Sequence, residues 1–160
     1  MNIYINSLKI LILTYSIYVI PLTIYLLNKK IYTDKKKVYK TIFFSITYGI
    51  IISGIIYIFP KKFFSLFTNI KGVINYCTYA YKILFFSGSI IGIQIIVPIY
   101  FCSIKKYKKT ALLYLIKITV LFLLIFILYP PFHIKGLLFA IPISDIIFTI
   151  ICLIFIYLFI

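Results

Sequence analysis

The chain alternates between long runs of apolar residues and short clusters of lysine. A helix needs roughly 20 mostly apolar residues to cross a bilayer, because the hydrocarbon core is about 30 Å thick. None of the runs alternates between apolar and polar side chains, as the strands of a membrane barrel do. The pattern therefore predicts an all-α polytopic membrane protein of about five transmembrane helices, with a single transmembrane domain over residues 1–160. The predicted spans are 8–28, 41–60, 83–104, 110–132 and 136–160.

Composition and charge point to lipid as the principal partner. The chain is 64% hydrophobic and only 12% charged, whereas about a quarter of the residues in a soluble domain are charged. Its 17 basic residues stand against two acids, Asp34 and Asp145. A nucleic-acid-binding domain would present a continuous basic face, but these lysines lie in short clusters between apolar runs, as in the loops of a membrane protein. We therefore expect a lipid bilayer as partner and no nucleic acid.

The lysine clusters also predict an orientation. In a five-helix chain, the 28–40 and 105–109 loops lie on the same side and together carry ten lysines, against six on the other side. Because positive residues are retained on the cytoplasmic side, we expect the N-terminus outside and Ile160 in the cytoplasm, in the plasma membrane. The 61–82 connection mixes aromatic residues with lysines, and it is predicted to contain a short segment lying in the membrane interface.

Three polar residues inside apolar runs are the candidates for a cavity or transport site. Asp145 is the only acid within a run, and it either faces a cavity or forms hydrogen bonds near the outer third of the last helix. Lys117 either faces the same cavity or extends toward the cytoplasmic headgroups. Gln94 can donate and accept hydrogen bonds across a helix interface. Since the Cα–Cβ bonds of antiparallel helices tilt in opposite directions, we predict no salt bridge between Lys117 and Asp145.

The sequence contains no pattern that predicts a metal site, a cofactor or catalysis. The three cysteines are far apart and match no metal or redox spacing. His133 lies in PPFHIKG (130–136), a stretch of helix breakers that predicts a loop. A nucleophile–base pair and a Gly-rich phosphate loop are both missing from the sequence. We therefore expect a protein that is not an enzyme.

From Val38 onward, over roughly 120 residues, several short motifs follow one another in a fixed order. They are FSLFTN (64–69), GIQ (92–94) followed by YF (100–101) and KK (105–106), and GLLFAIPISD (136–145). This series resembles the C-terminal lobe of MATE (multidrug and toxic compound extrusion) transporters, approximately helices eight to twelve of that family. Three positions depart from the family pattern. The usual glycine after Phe101 is replaced by Ser103-Ile104-Lys105, Lys117 stands where an arginine is usual, and the glycine-bearing turn expected after the first helix reads YLLNKK (25–30).

The resemblance implies a function as well as a fold. MATE transporters have twelve helices in two lobes and export small cationic organic substrates by alternating access, in exchange for Na⁺ or H⁺. Because the best-known coupling acids of the family lie in helices outside this sequence, the resemblance implies a fragment, a split half or a remnant, with a separate chain supplying the N-terminal lobe. Two alternatives remain: a lipid-linked oligosaccharide flippase of the same superfamily, or a non-transporting, organelle-encoded respiratory subunit.

Overall fold

The computed structural model describes residues 5–7, 9–17, 19 and 35–159, and most of these residues are helical. Four helices follow one another in the longer range, and residues 5–7 and 9–17, here called the N-terminal segment, are also helical. No strand occurs among the described residues, so the all-α prediction is confirmed for them. The helices are α1 (Lys35–Ile58), α2 (Pro60–Ser65), α3 (Lys71–Ser103) and α4 (Tyr107–Phe159).

Three of the helices, α1, α3 and α4, are long and apolar enough to cross a membrane. Their outer surfaces also carry large apolar side chains. Phe122 is 67% exposed, Phe126 81% and Tyr157 85%. A soluble protein rarely exposes apolar surface on this scale, whereas contact with lipid chains makes it favourable. Length, composition and exposed surface together indicate an integral membrane protein.

Helix α4 folds back on itself at His133, whose backbone leaves helical geometry at φ 50° and ψ −129°. Two contacts demonstrate the reversal. Near the two ends of α4, the Lys109 ammonium lies 2.9 Å from the centroid of the Phe159 ring. Next to the bend, the Cα of Gly136 packs so closely on the carbonyl oxygen of Leu128 that any Cβ would overlap it. Helix α4 is therefore an antiparallel hairpin of two arms, residues 107–132 and 134–159, which cover the predicted spans 110–132 and 136–160. The bend itself falls in the stretch predicted as a loop.

Helix α3 occupies the centre of the bundle, with α1 on one side and α4 on the other. One apolar core joins it to the start of α1 and to both arms of α4, through residues that include Val38, Phe101 and Ile156. A second core joins it to the end of α1, to α2 and to the N-terminal segment, around Phe64 and Val73. The start of α1 and the turn between α3 and α4 therefore lie at one end of the bundle, and α2 lies at the other.

The central helix is longer than the span predicted from hydropathy. With 33 residues it extends roughly 50 Å, well beyond the hydrocarbon core, and its start at Lys71 precedes the predicted start at 83. The predicted interfacial segment 61–82 is thus divided, since its first residues belong to α2 and residues 71–82 continue as α3. Lys82 is exposed at the point where the charge-free stretch of α3 begins. Most of the predicted span 8–28 and Asp34 lie outside the described residues.

The end of α3 has the hydrogen bonds of a Schellman motif. The Lys106 N–H donates to the Phe101 carbonyl at 2.9 Å, and the Lys105 N–H donates to the Cys102 carbonyl at 3.0 Å. In this motif the residue after the helix takes a positive φ, which glycine adopts without a steric cost. Here the position is held by Lys105, with φ 60°. The turn is therefore made by a residue poorly suited to it.

We expect Lys105→Gly to raise the free energy of unfolding by about 1 kcal/mol, because it removes the clash that an L-residue meets at positive φ. The measurement is unfolding by SDS titration in mixed micelles. The matched control is Lys106→Gly, since Lys106 is the neighbouring lysine and its φ is not positive. Equal effects of the two substitutions would contradict a role for the positive φ.

Candidate functional site

The three polar residues singled out from the sequence meet at one place between α3 and α4. The Lys117 ammonium donates a hydrogen bond of 2.6 Å to Oε1 of Gln94 and lies 3.6 Å from Oδ1 of Asp145. The Gln94 amide nitrogen in turn donates to the Asp145 carbonyl oxygen at 3.1 Å and to the Thr149 hydroxyl at 3.2 Å. These four residues are called the polar cluster below. Gln94 thus both donates and accepts across the helix interface, as predicted.

The polar cluster is largely withdrawn from solvent. The Asp145 side chain is 8% exposed, Gln94 is 3% exposed, and the Lys117 side chain retains 26% exposure. The Lys117–Asp145 contact is the only salt bridge among the described residues. The ring of Phe148 lies on one side of the ammonium, 5.3 Å away at its centroid. In such surroundings a carboxylate is stable only beside a counter-charge, so the two charges depend on each other.

The prediction that Lys117 and Asp145 do not pair is wrong. It relied on the Cα–Cβ directions of the two arms, which do tilt apart, but this bond is only the first in the lysine side chain. Lys117 lies 16 residues before the bend at His133 and Asp145 lies 12 residues after it. Their Cα atoms are therefore offset along the hairpin by about four residues, or roughly 6 Å, and the flexible four-carbon stem of lysine spans that offset. Gln94 on α3 supplies a further acceptor at the same level. Because Gln94 and Asp145 both lie within reach, the Lys117 ammonium contacts them and does not extend toward the headgroups.

A cavity of about 360 Å³ borders the ion pair. It lies between the N-terminal segment, α3 and both arms of α4, and its wall surface is mostly apolar, with leucine as the most frequent residue. Lys117 and Asp145 line it, whereas Gln94 and Thr149 stand behind them. The N-terminal segment closes one side with residues that include Ile12, which is 58% exposed. The site is therefore an apolar chamber with a small charged patch on one wall.

Two serines on the same wall extend the polar patch. Ser87 on α3 and Ser144 on α4 line the cavity and are 5% and 1% exposed, and their hydroxyl oxygens have no hydrogen-bond partner among the described residues. A buried hydroxyl without a partner has an unmet hydrogen-bonding capacity. Neither serine was predicted from the sequence as a site residue, and Thr149 was not predicted either. The signal for Thr149 was its position four residues after Asp145, which places both on one helix face.

None of the three cysteines lines the cavity. Cys77 is buried against the N-terminal segment, where its thiol lies 3.8 Å from the Ser7 carbonyl oxygen. Cys102 is exposed, Cys152 is buried, and all three cysteines are free. Among the described residues no group of three potential metal ligands comes together.

What the residues of the site can do is hold a charge pair in an apolar chamber. The carboxylate of Asp145 can accept a cation or a proton, and the ammonium of Lys117 can pass between acceptors. Gln94 and Thr149 fix the position of that arrangement from behind.

No protein-family model, no curated protein and no solved structure matches the chain.

Proposed function

We propose that the chain forms most of one six-helix lobe of a membrane transporter of the MATE type, with Lys117, Asp145 and Gln94 in its transport pathway. The observation that carries this proposal is the ion pair beside a cavity in an otherwise apolar bundle. Charged side chains at membrane depth are expensive, and where they occur they mark substrate or ion pathways. The order of motifs that resembles the C-terminal lobe of MATE transporters supports the proposed family.

We further propose five membrane crossings: the N-terminal region, α1, α3 and the two arms of α4. The fold-back at His133 supports separate crossings for the arms, since each arm extends roughly 39 Å and could span the core. The end of the bundle that carries the 105–109 turn would face the cytoplasm, because of its lysines. The N-terminus would then be outside and Ile160 inside, in the plasma membrane.

Transport by alternating access requires a second lobe. Two lobes enclose a central site and rock against each other, so that a single lobe has no surface to close against. The second lobe lies outside this sequence, and a separate chain could supply it. Exchange with H⁺ or Na⁺ would use acids of that second lobe, since the best-known coupling acids of the family lie in helices outside this sequence.

The test replaces Asp145 with Asn in the chromosomal copy and measures accumulation of cationic, anionic and uncharged fluorescent solutes in the cells. We expect accumulation of at least one class to rise severalfold, as in a deletion strain, because export is lost. The matched control is Gly54→Ala, at a position where an added Cβ meets no atom within 4 Å. The amount of each variant in the membrane is measured in parallel.

Two results would contradict this proposal. Unchanged accumulation of every solute in the deletion strain would remove the case for transport. Export by the purified chain alone in liposomes, abolished by Asp145→Asn, would refute the requirement for a second lobe, since we expect no measurable export without it.

A further inference from the structure

We propose that the cavity beside the ion pair binds an uncharged amphiphile, with a hydrocarbon body and a head that carries hydroxyl or carbonyl oxygens. This inference rests on the proposed function, because it names the class of molecule that the lobe would take up. It departs from the small organic cations that the MATE resemblance implies. The volume of about 360 Å³ lies at the lower end of the range of small-molecule sites, which is roughly 300–1,000 Å³.

The shape and chemistry of the walls select a molecule with two parts. Most of the lining surface is apolar, and Leu121, Leu138 and Ile141 would hold a hydrocarbon chain. Three further polar side chains line the cavity: Thr14 donates to the Ile10 carbonyl, Tyr81 donates to the Ser53 carbonyl, and Tyr15 lies on the N-terminal segment. Ser87, Ser144 and the ion pair supply the polar groups on α3 and α4. A purely apolar ligand would leave these groups without partners, and a polar solute would leave the aliphatic walls in contact with polar atoms. An amphiphile satisfies both regions.

The charge of the site argues for an uncharged head. Lys117 and Asp145 compensate each other, so that the pair has no net charge to offer a ligand. A cation could bind Asp145 only by displacing Lys117, and this would leave an ammonium buried without a counter-charge. An anion that drew Lys117 away would leave the Asp145 carboxylate unpaired in the same way. An uncharged head leaves the pair intact.

The available hydrogen bonds match the oxygens of such a head. An ammonium has three donors; one of those of Lys117 is bonded to Gln94, and the Asp145 carboxylate lies 3.6 Å away as an ion pair, so that at least one donor is available to a ligand. Each hydroxyl of Ser87 and Ser144 can donate one bond and accept others, after rotation about χ1 where needed. A head with ester and hydroxyl oxygens, such as that of a monoacylglycerol, could use all three groups.

The experiment uses a monoacylglycerol with a twelve-carbon chain and a diazirine at its end, photocrosslinked to the full chain in nanodiscs. Crosslinked residues are mapped by mass spectrometry, and we expect them at Leu121, Leu138 or Ile141. Unlabelled competitors of equal chain length compare three heads: glycerol ester, trimethylammonium and carboxylate. We expect the uncharged competitor to be effective at a concentration roughly tenfold lower than either charged one, which corresponds to about 1.4 kcal/mol.

Two variants test the polar and apolar walls separately. The double variant Ser87→Ala with Ser144→Ala should bind roughly threefold to tenfold more weakly for each hydrogen bond lost. Because the two hydroxyls bond no other described residue, this variant should unfold no more easily than the parent protein. Leu121→Trp should fill the cavity and abolish the crosslink. The matched control is Ser89→Ala, since Ser89 is also on α3 but bonds the Phe85 carbonyl at 3.3 Å and does not line the cavity.

The inference is overturned if the trimethylammonium competitor is the most effective, if crosslinks fall outside the cavity, or if the serine double variant binds as tightly as Ser89→Ala. Its failure is distinct from failure of the proposed function. Binding in nanodiscs requires no second lobe, and the accumulation assay in cells includes solutes of every charge. Export of cations without binding of the monoacylglycerol would therefore retain the transporter and reject this ligand class.

Discussion

Replacing Lys117 with Met is expected to lower the free energy of unfolding by about 3 kcal/mol, because the Asp145 carboxylate is then buried without its counter-charge. Asp145→Leu should lower the free energy of unfolding by a similar amount, because the Lys117 ammonium is then buried without its counter-charge. The double variant should recover most of the loss and lie within about 1 kcal/mol of the parent protein, since an apolar pair of similar volume needs no compensation. The expected coupling energy is thus several kcal/mol.

The measurement for this double-mutant cycle is SDS titration in mixed micelles, followed by circular dichroism. The matched control is Lys61→Met, an exposed lysine on α2, which should change stability by no more than about 0.5 kcal/mol. If the double variant loses the sum of the two single losses, the charges do not stabilise each other. The Lys117–Asp145 contact would then have no energetic role.

Gly49→Ala is expected to lower the free energy of unfolding by about 2 kcal/mol, because the added methyl group forces α1 away from α3. A Cβ at this position would lie 2.8 Å from the carbonyl oxygen of Ser89 and 2.9 Å from that of Gly88. Both atoms belong to the backbone of α3, so no side-chain rotation can relieve the overlap, and the two helices must separate. Small residues allow membrane helices to approach closely in this way, and packing then holds them together without help from water.

The control for this prediction is on the same helix. Gly54 faces open space, and Gly54→Ala should be neutral or stabilise α1 by up to about 1 kcal/mol through helix propensity. Unfolding in mixed micelles measures both variants. If Gly54→Ala lowers the free energy of unfolding as much as Gly49→Ala does, α1 tolerates an added methyl group at neither position. The effect at Gly49 would then not support a specific contact between α1 and α3.

The candidate residues could be found in the sequence because charge is so rare in its apolar runs. Lys117 and Asp145 each interrupt a run, and Gln94 is a large amide in a third. Because such groups are energetically costly in hydrocarbon, they were predicted as site residues, and the structure brings all three together. The serines of the cavity wall gave no comparable signal, because a hydroxyl on a membrane helix usually bonds its own backbone, as Thr47 and Ser89 do.

Most of the secondary structure was determined by the sequence alone. In lipid every backbone polar group must bond within its own segment, so a charge-free run of sufficient length is a helix whatever it packs against. Helix breakers located the bend of α4 in the same local way. The start of α3 was not predicted, because a helix need not end where the membrane ends. No proline interrupts residues 71–82, and α3 extends over them.

Only the tertiary structure decided how the polar residues combine. The pairing of Lys117 with Asp145 depends on the fold-back at His133, on the rotamers of a long side chain and on Gln94 from a third helix segment. None of these is a local property of the sequence around either charge. The cavity likewise exists because four segments, far apart along the chain, leave space between them. Apolar runs specify where helices form in lipid, whereas contacts between helices determine which buried charges meet.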